Sequence, residues 1–217
     1  MAEIFRIAID GPSGAGKSTI AKAVAKELNI DYIDTGAMYR AVGYKVRETG
    51  VDVEDEAALN QMLNNTDIDF VQGDIILDGQ VINDLIRTPE ISMMASKVSA
   101  KGPVRAKLVD IQRAMGTRKS IIMDGRDIGT NVLKDAEYKI FLTASAEERA
   151  DRRFKELTEK GEQVTYEEVL EDIKQRDHND MTRELNPLCK ADDATELDTT
   201  GLNIDQVVAA VLEIVRG

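Results

Sequence analysis

Nine consecutive residues near the start of the chain, Gly11-Pro12-Ser13-Gly14-Ala15-Gly16-Lys17-Ser18-Thr19, follow the spacing G-x-x-x-x-G-K-[ST]. Glycines at these positions let the backbone turn so that successive N–H groups face inward and wrap a phosphate. A helix that follows directly adds its unpaired N–H groups and the positive end of its dipole. Lys17 is placed to reach the β and γ oxygens of a nucleoside triphosphate, and the Ser18 hydroxyl to ligate Mg²⁺. A Gly-rich turn can match such a spacing by chance, so the flanks matter. Residues 4–9 are a mostly apolar run that fits a buried strand, and 18–28 carry Ile20, Ala21, Val24, Ala25 and Leu28 at helical spacing. Strand, glycine loop, helix is the context the motif requires, and ATP or GTP is its expected ligand.

Three further segments carry charged groups suited to a second anion. They are Asp34-Thr35-Gly36-Ala37-Met38-Tyr39-Arg40, Asp124-Gly125-Arg126-Asp127-Ile128-Gly129, and Arg176-Asp177-His178-Asn179-Asp180-Met181-Thr182-Arg183. Asp124 ends the apolar run 120–123, as the acidic residue of a Walker B strand does, and is expected to join Ser18 in holding the metal. Arginine binds phosphate bidentately. One arginine alone reads as surface charge, whereas several in three motifs beside a phosphate loop read as a binding site. Arg149 and Arg153, one helical turn apart in the charged stretch 149–163, are expected on one side of a lid that supplies charge to a migrating phosphoryl. A GTPase would carry Asn-Lys-x-Asp, which does not occur. The Asp198-Thr199-Thr200-Gly201 match to Asp-x-x-Gly lies too near the C-terminus for a switch.

The elements that position these residues follow from periodicity. Apolar runs at 32–33, 120–123, 138–142 and 196–199 alternate with helical patterns at 105–115, 166–176 and 204–215, the last capped by Asn203 and Gln206. Such alternation predicts an α/β fold, a parallel sheet flanked by helices in a P-loop NTPase core. Residues 68–81 break the rhythm, with turns at Gln72-Gly73-Asp74 and Asp78-Gly79-Gln80 between short strands. A small inserted α+β subdomain is therefore expected at 58–100 and a short lid at 149–163. The kinase core is then 1–57, 101–148 and 164–217.

With 28 Lys+Arg against 40 Asp+Glu the net charge is -12, a field that repels nucleic acid but leaves a locally positive cleft free to bind a nucleotide. A single cysteine excludes an intrachain disulfide and suits a reducing compartment. Residues 1–10 lack a signal-peptide layout, and no apolar run reaches the length of a membrane span. The expectation is a cytoplasmic monomer without nucleic-acid or membrane partners.

Together the four motifs resemble the bacterial cytidylate kinase family of nucleoside monophosphate kinases, from about Ile4 to the final helix and including the insert that family carries. The resemblance implies ATP and Mg²⁺ as donor and cofactor, with CMP, and dCMP as well, as acceptor. It implies that Thr35, Asp127 and Arg183 face the cytosine and that Arg40 and Arg126 face the acceptor phosphate. Ser96, Arg176 and Asp180 would hold the ribose, with Arg105 a further contact to the acceptor nucleotide. Thr35 departs from the serine common in the family, and the Ser18 position varies there. Cytosine chemistry agrees with these roles, since N4 donates to a carboxylate and the ring acceptors receive from arginine. The attacking oxygen belongs to a phosphate already ionised at neutral pH. Catalysis would then be positioning and charge neutralisation by Lys17, Arg149, Arg153 and the metal. A kinase for another small acceptor, such as shikimate, and a nucleotide-binding regulator without turnover stay open on these residues. His178 and Cys189 receive no role.

Overall fold

The computed structural model describes residues 4–71 and 73–217. Five parallel strands form the central sheet: β1 (Arg6–Asp10), β2 (Asp31–Asp34), β6 (Ile121–Gly125), β7 (Tyr138–Thr143) and β8 (Thr195–Asp198), in the order β2-β6-β1-β7-β8. Apart from Lys139 in β7, the interiors of the inner strands read as apolar runs because both of their faces are covered. Ile7, Ile9, Ile122 and Leu142 pack under α1 (Lys17–Leu28) and α8 (Ile204–Arg216). Ala8, Ile121 and Met123 pack on the other side with Met38 of α2 (Thr35–Thr49) and Leu108 of α5 (Gly102–Gly116). Asn203 and Gln206 form a full capping box on α8.

The inserted segment begins with α3 (Glu56–Asn64), continues through an antiparallel sheet of β3 (Ile68–Val71), β4 (Asp74–Leu77) and β5 (Gln80–Val81), and ends in α4 (Pro89–Ser99). Asp78 and Gly79, with φ of 50° and 80°, supply the two positive-φ residues of the tight turn between β4 and β5. Of the other expected turn, Gln72 lies outside the described residues, while Gly73 has φ 91°. The insert shares one core with the sheet: Leu59, Ile75, Ile86, Ile91 and Val98 join Met38, Val42 and Leu108. It is therefore packed onto α2 and α5 rather than set apart.

The charged stretch 149–163 falls largely within one helix, α6 (Ala146–Glu159), capped by the Ser145 hydroxyl and followed by α7 (Tyr166–Thr182). The α6–α7 hairpin has a small core of its own, in which Ala150, Leu157, Val169 and Ile173 are buried against Phe154 and Tyr166. No helix among the described residues is long and apolar enough to cross a membrane.

Candidate active site

In a parallel sheet the loops after the strands' carboxyl ends gather on one edge. Here β1 ends in Asp10 and runs into the glycine loop, β2 ends in Asp34, and β6 ends in Asp124 and Gly125. All three lead into one cleft, whose remaining wall is supplied by α4, α6 and α7.

The glycine loop has the backbone its sequence demands. A Cβ on Gly11 would lie 2.1 Å from the Leu142 carbonyl oxygen, so only glycine fits that close approach. Gly16 caps α1 in the left-handed conformation, with φ 82°. Gly11, Pro12 and Ala15 are buried and do not line the cleft, while Ser13, Gly14, Gly16, Lys17, Ser18 and Thr19 do. Lys17 is buried, and its ammonium donates to the Pro12 carbonyl at 2.7 Å. Burial, then the nearby Arg126, pushes its pKa down.

Ser18 Oγ donates to Asp124 Oδ2 at 3.0 Å, and Tyr32 Oη to Asp124 Oδ1 at 2.7 Å. Burial, then the neighbouring Asp34, pushes the Asp124 carboxyl up. A hydroxyl and a carboxylate beside a phosphate loop form the small, hard oxygen set that suits Mg²⁺, which keeps several waters and binds few protein groups.

The side of the cleft opposite the glycine loop is built of arginine–carboxylate pairs. Asp127 sits at the start of a π-turn, Ile128–Val132, whose first two N–H groups both donate to the buried Asp10 carboxylate at 2.8 Å. Burial raises the Asp10 pKa to about 6 against those two bonds. Asp127 Oδ2 accepts from Arg105 and from Asn131 Nδ2 at 3.0 Å, and Oδ1 accepts from Arg183 at 3.0 Å. A carboxylate has about four acceptor positions, so one remains on Oδ1 for a ligand. Arg126 Nε donates to Asp180 Oδ2 at 2.7 Å. Burial opposes the charge on Arg126, and Asp180, with Asp124 and Asp177, more than offsets it, holding the guanidinium above its ordinary value. Burial and the proximity of Arg126 lower the Arg176 pKa. Arg40 leans on Asp34 at 3.3 Å while its Nε is buried with no partner among the described residues, a donor left for a ligand.

The cleft thus brings together Lys17, Ser18, Thr35, Arg40, Ser96, Asp124, Arg126, Asp127, Arg153, Arg176, Asp180 and Arg183 from the sequence expectations. Thr35 Oγ1 donates to the Asp124 carbonyl at 2.7 Å, so its hydroxyl faces a ligand as an acceptor. Two expected residues stand elsewhere. Arg105 is buried behind Asp127 rather than on the cleft wall, because its guanidinium pairs with that carboxylate. The Arg149 guanidinium does not line the cleft as Arg153 does. It is instead buried under the glycine loop, donating to the carbonyls of Ser13 at 2.8 Å and Ala144 at 3.0 Å. The expected pairing of Arg149 and Arg153 over the phosphoryl is corrected accordingly. Sequence reasoning missed Arg87 and Asp10. Arg87 gave no motif signal, whereas Asp10 directly precedes the glycine loop and ends its strand in a charge, which was the available clue.

A parallel sheet, a phosphate loop after its first β-strand and a facing arginine cluster define a P-loop kinase architecture. Solved structures agree at the level of fold. The chain resembles shikimate kinase from Bacteroides thetaiotaomicron at a TM-score of 0.52 and 14% identity, covering 99% of this chain and 100% of that one. It resembles an uncharacterized protein from Eubacterium ventriosum at a TM-score of 0.56 and 13% identity, covering 99% of both. Sequence is more specific. The cytidylate kinase family profile matches residues 7–217. The chain is 56% identical to the cytidylate kinase of Clostridioides difficile, with 95% of each chain covered, and 52% identical to that of Carboxydothermus hydrogenoformans, with 97% of each covered. The chain belongs to the cytidylate kinase family.

Proposed function

We propose that the chain transfers the γ-phosphoryl of ATP to CMP, and to dCMP as well, giving ADP and the cytidine diphosphate. The observation that carries this reading is a glycine phosphate loop facing a cluster of arginines and an Asp127 carboxylate with one acceptor position open, all in one cleft. Residues 11–19 hold the triphosphate, and Lys17 swings from the Pro12 carbonyl onto its oxygens. Arg40 and Arg126 take the acceptor phosphate, while Ser96, Arg176 and Asp180 take the ribose. Thr35, Asp127 and Arg183 take the base, with Arg105 acting through Asp127. The acceptor oxygen is already ionised, so no general base is needed and catalysis consists of alignment and neutralisation of spreading charge. Ser18 and Asp124 fit a Mg²⁺ ion, which when bound offsets charge on the donor phosphates.

Residues 58–100 are read as the monophosphate-binding subdomain and 149–163 as the lid, the remainder being the kinase core. Lid support comes from Arg153, which lines the cleft with its side chain about one-third exposed. Closure would bring it over the phosphoryl and exclude water.

The test is ADP release with ATP–Mg²⁺ and each of CMP, dCMP, UMP, AMP, GMP and shikimate. Rapid turnover with CMP and dCMP and slow turnover with the others is expected. Preferred use of another acceptor would replace this reading, and ATP binding without turnover on any acceptor would make the chain a nucleotide sensor.

A further inference from the structure

The glycine loop is held from behind by a buried ion pair, Asp177 and Arg149, that does not line the cleft. Asp177 Oδ1 accepts from the Ser13 N–H at 3.2 Å, and its Oδ2 meets Arg149 Nη1 at 2.6 Å. Arg149 Nη1 also donates to the Ser13 carbonyl at 2.8 Å, and Nε anchors the guanidinium to the Ala144 carbonyl at 3.0 Å. Asp177 and Arg149 are 8% and 5% exposed. Both backbone polar groups of Ser13 are therefore gripped by a closed ring of charged bonds. The fit is tight, for a Cβ on Gly14 would sit 3.3 Å from Arg149 Cβ.

We infer that Asp177, through Arg149, is a positioning residue that sets the phosphate loop for its ligand. In a trans peptide the C=O and the next N–H point in opposite directions. Fixing the Ser13 carbonyl on Arg149 therefore turns the Gly14 N–H the other way, and Gly14 lines the cleft. The pair is electrically neutral as a unit, so it orients loop dipoles without adding net charge at the phosphates. A loop that must reorganise before binding binds more weakly.

The location of Asp177 gives the clamp a second consequence. Arg176 precedes it on α7, Asp180 follows one turn later, and both line the acceptor side of the cleft. One helix therefore grips the donor loop and the acceptor ligand together.

This rests on the donor reading of residues 11–19, and the experiment separates the two. ADP and CMP are titrated separately, by calorimetry, into wild type, Asp177→Asn and Arg149→Lys. Wild type must bind ADP, and if it does not, the donor reading and the clamp both fall. Asp177→Asn is expected to weaken ADP by about tenfold or more, the scale of losing a charged hydrogen bond. Arg149→Lys keeps the charge but not the three-point geometry and should fall between. CMP affinity should change by less than about threefold in both, because Arg176, Asp180 and Arg183 are intact. Unchanged ADP affinity overturns the inference. So does a parallel loss of ADP and CMP, which would mark a general collapse of α7. Should Asp177→Asn fail to fold, Arg149→Lys decides by the same comparison.

Discussion

Replacing Asp127 by asparagine removes one charge from the most heavily paired point of the cleft. The carboxylate lies between Arg105 and Arg183, the three side chains being 7%, 4% and 8% exposed, and it also accepts from Asn131. Asparagine has one acceptor oxygen, so its amide must point N–H groups at one of two guanidinium groups. Arg183 keeps Asp180 at 3.9 Å and the Asn186 carbonyl at 2.8 Å, whereas Arg105 keeps the Ser99 carbonyl at 3.5 Å and the face of the Tyr39 ring. Breaking a buried pair from one side costs about 3–5 kcal/mol. For a chain of this size that corresponds to a melting temperature lower by roughly 6–20 °C. On the proposed base-reading role, the same change also removes the charge-assisted acceptor for cytosine N4, worth about 1.5–3 kcal/mol. The ratio of kcat/KM for CMP over UMP should therefore fall by at least about tenfold. Thermal denaturation reads the first effect, and coupled ADP release with each acceptor at fixed ATP–Mg²⁺ reads the second. An unchanged acceptor ratio would refute base reading by Asp127 and leave it a structural tie between two arginines. An unchanged melting temperature would refute the buried-pair energetics.

Lys17→Ala should lower kcat by about a hundredfold or more while circular dichroism stays native, since its amine acts on charge that develops in the transition state; near-native turnover would contradict its role. Arg153→Ala removes only a half-exposed pair with Glu156 at 2.8 Å, so melting should barely move while kcat falls. A large stability loss with unaltered kcat would make that arginine structural. Asp10 gives a pH signature. Its folded pKa is raised from 3.8 to about 6, so the cost of its buried charge is present above pH 6 and is relieved as pH falls toward 4. Wild type should therefore gain up to about 3 kcal/mol relative to Asp10→Asn across that window. Parallel denaturant-stability curves for the two proteins between pH 4 and 7 would show that Asp10 does not carry the shift.

Most of the sheet was legible because its buried strands are short, mostly apolar runs, three of which (β1, β2 and β6) end in a charge or a glycine. The glycine loop was legible because its backbone path restricts residue type so strongly. Helices α2, α4 and α6 were not, for different reasons. In α2, Thr35, Arg40 and Gly43 interrupt the apolar spacing, the first two facing the cleft and Gly43 admitting α4 at close range. The apolar face of α6 is Ala150, Phe154 and Leu157, too narrow to stand out among its charges. Arg149 and Arg153 show why helical spacing alone misled. Four residues along a helix place two side chains near one face, but long side chains diverge according to what their ends can reach. Arg149 reaches backbone carbonyls beneath the loop, and Arg153 reaches Glu156 at the cleft. The Asp177 clamp arises only in the folded chain, since its partner Ser13 lies 164 positions away in the sequence.

The most direct test follows the phosphoryl itself. Wild-type protein is incubated with ATP labelled at the γ-phosphate, Mg²⁺, and an equimolar mixture of CMP and UMP, and the nucleotides are separated at early times. Transfer from this cleft, with Asp127 reading the cytosine edge, predicts label in CDP well before any in UDP and little as free phosphate. Equal labelling of CDP and UDP, or label released only as phosphate, would contradict it.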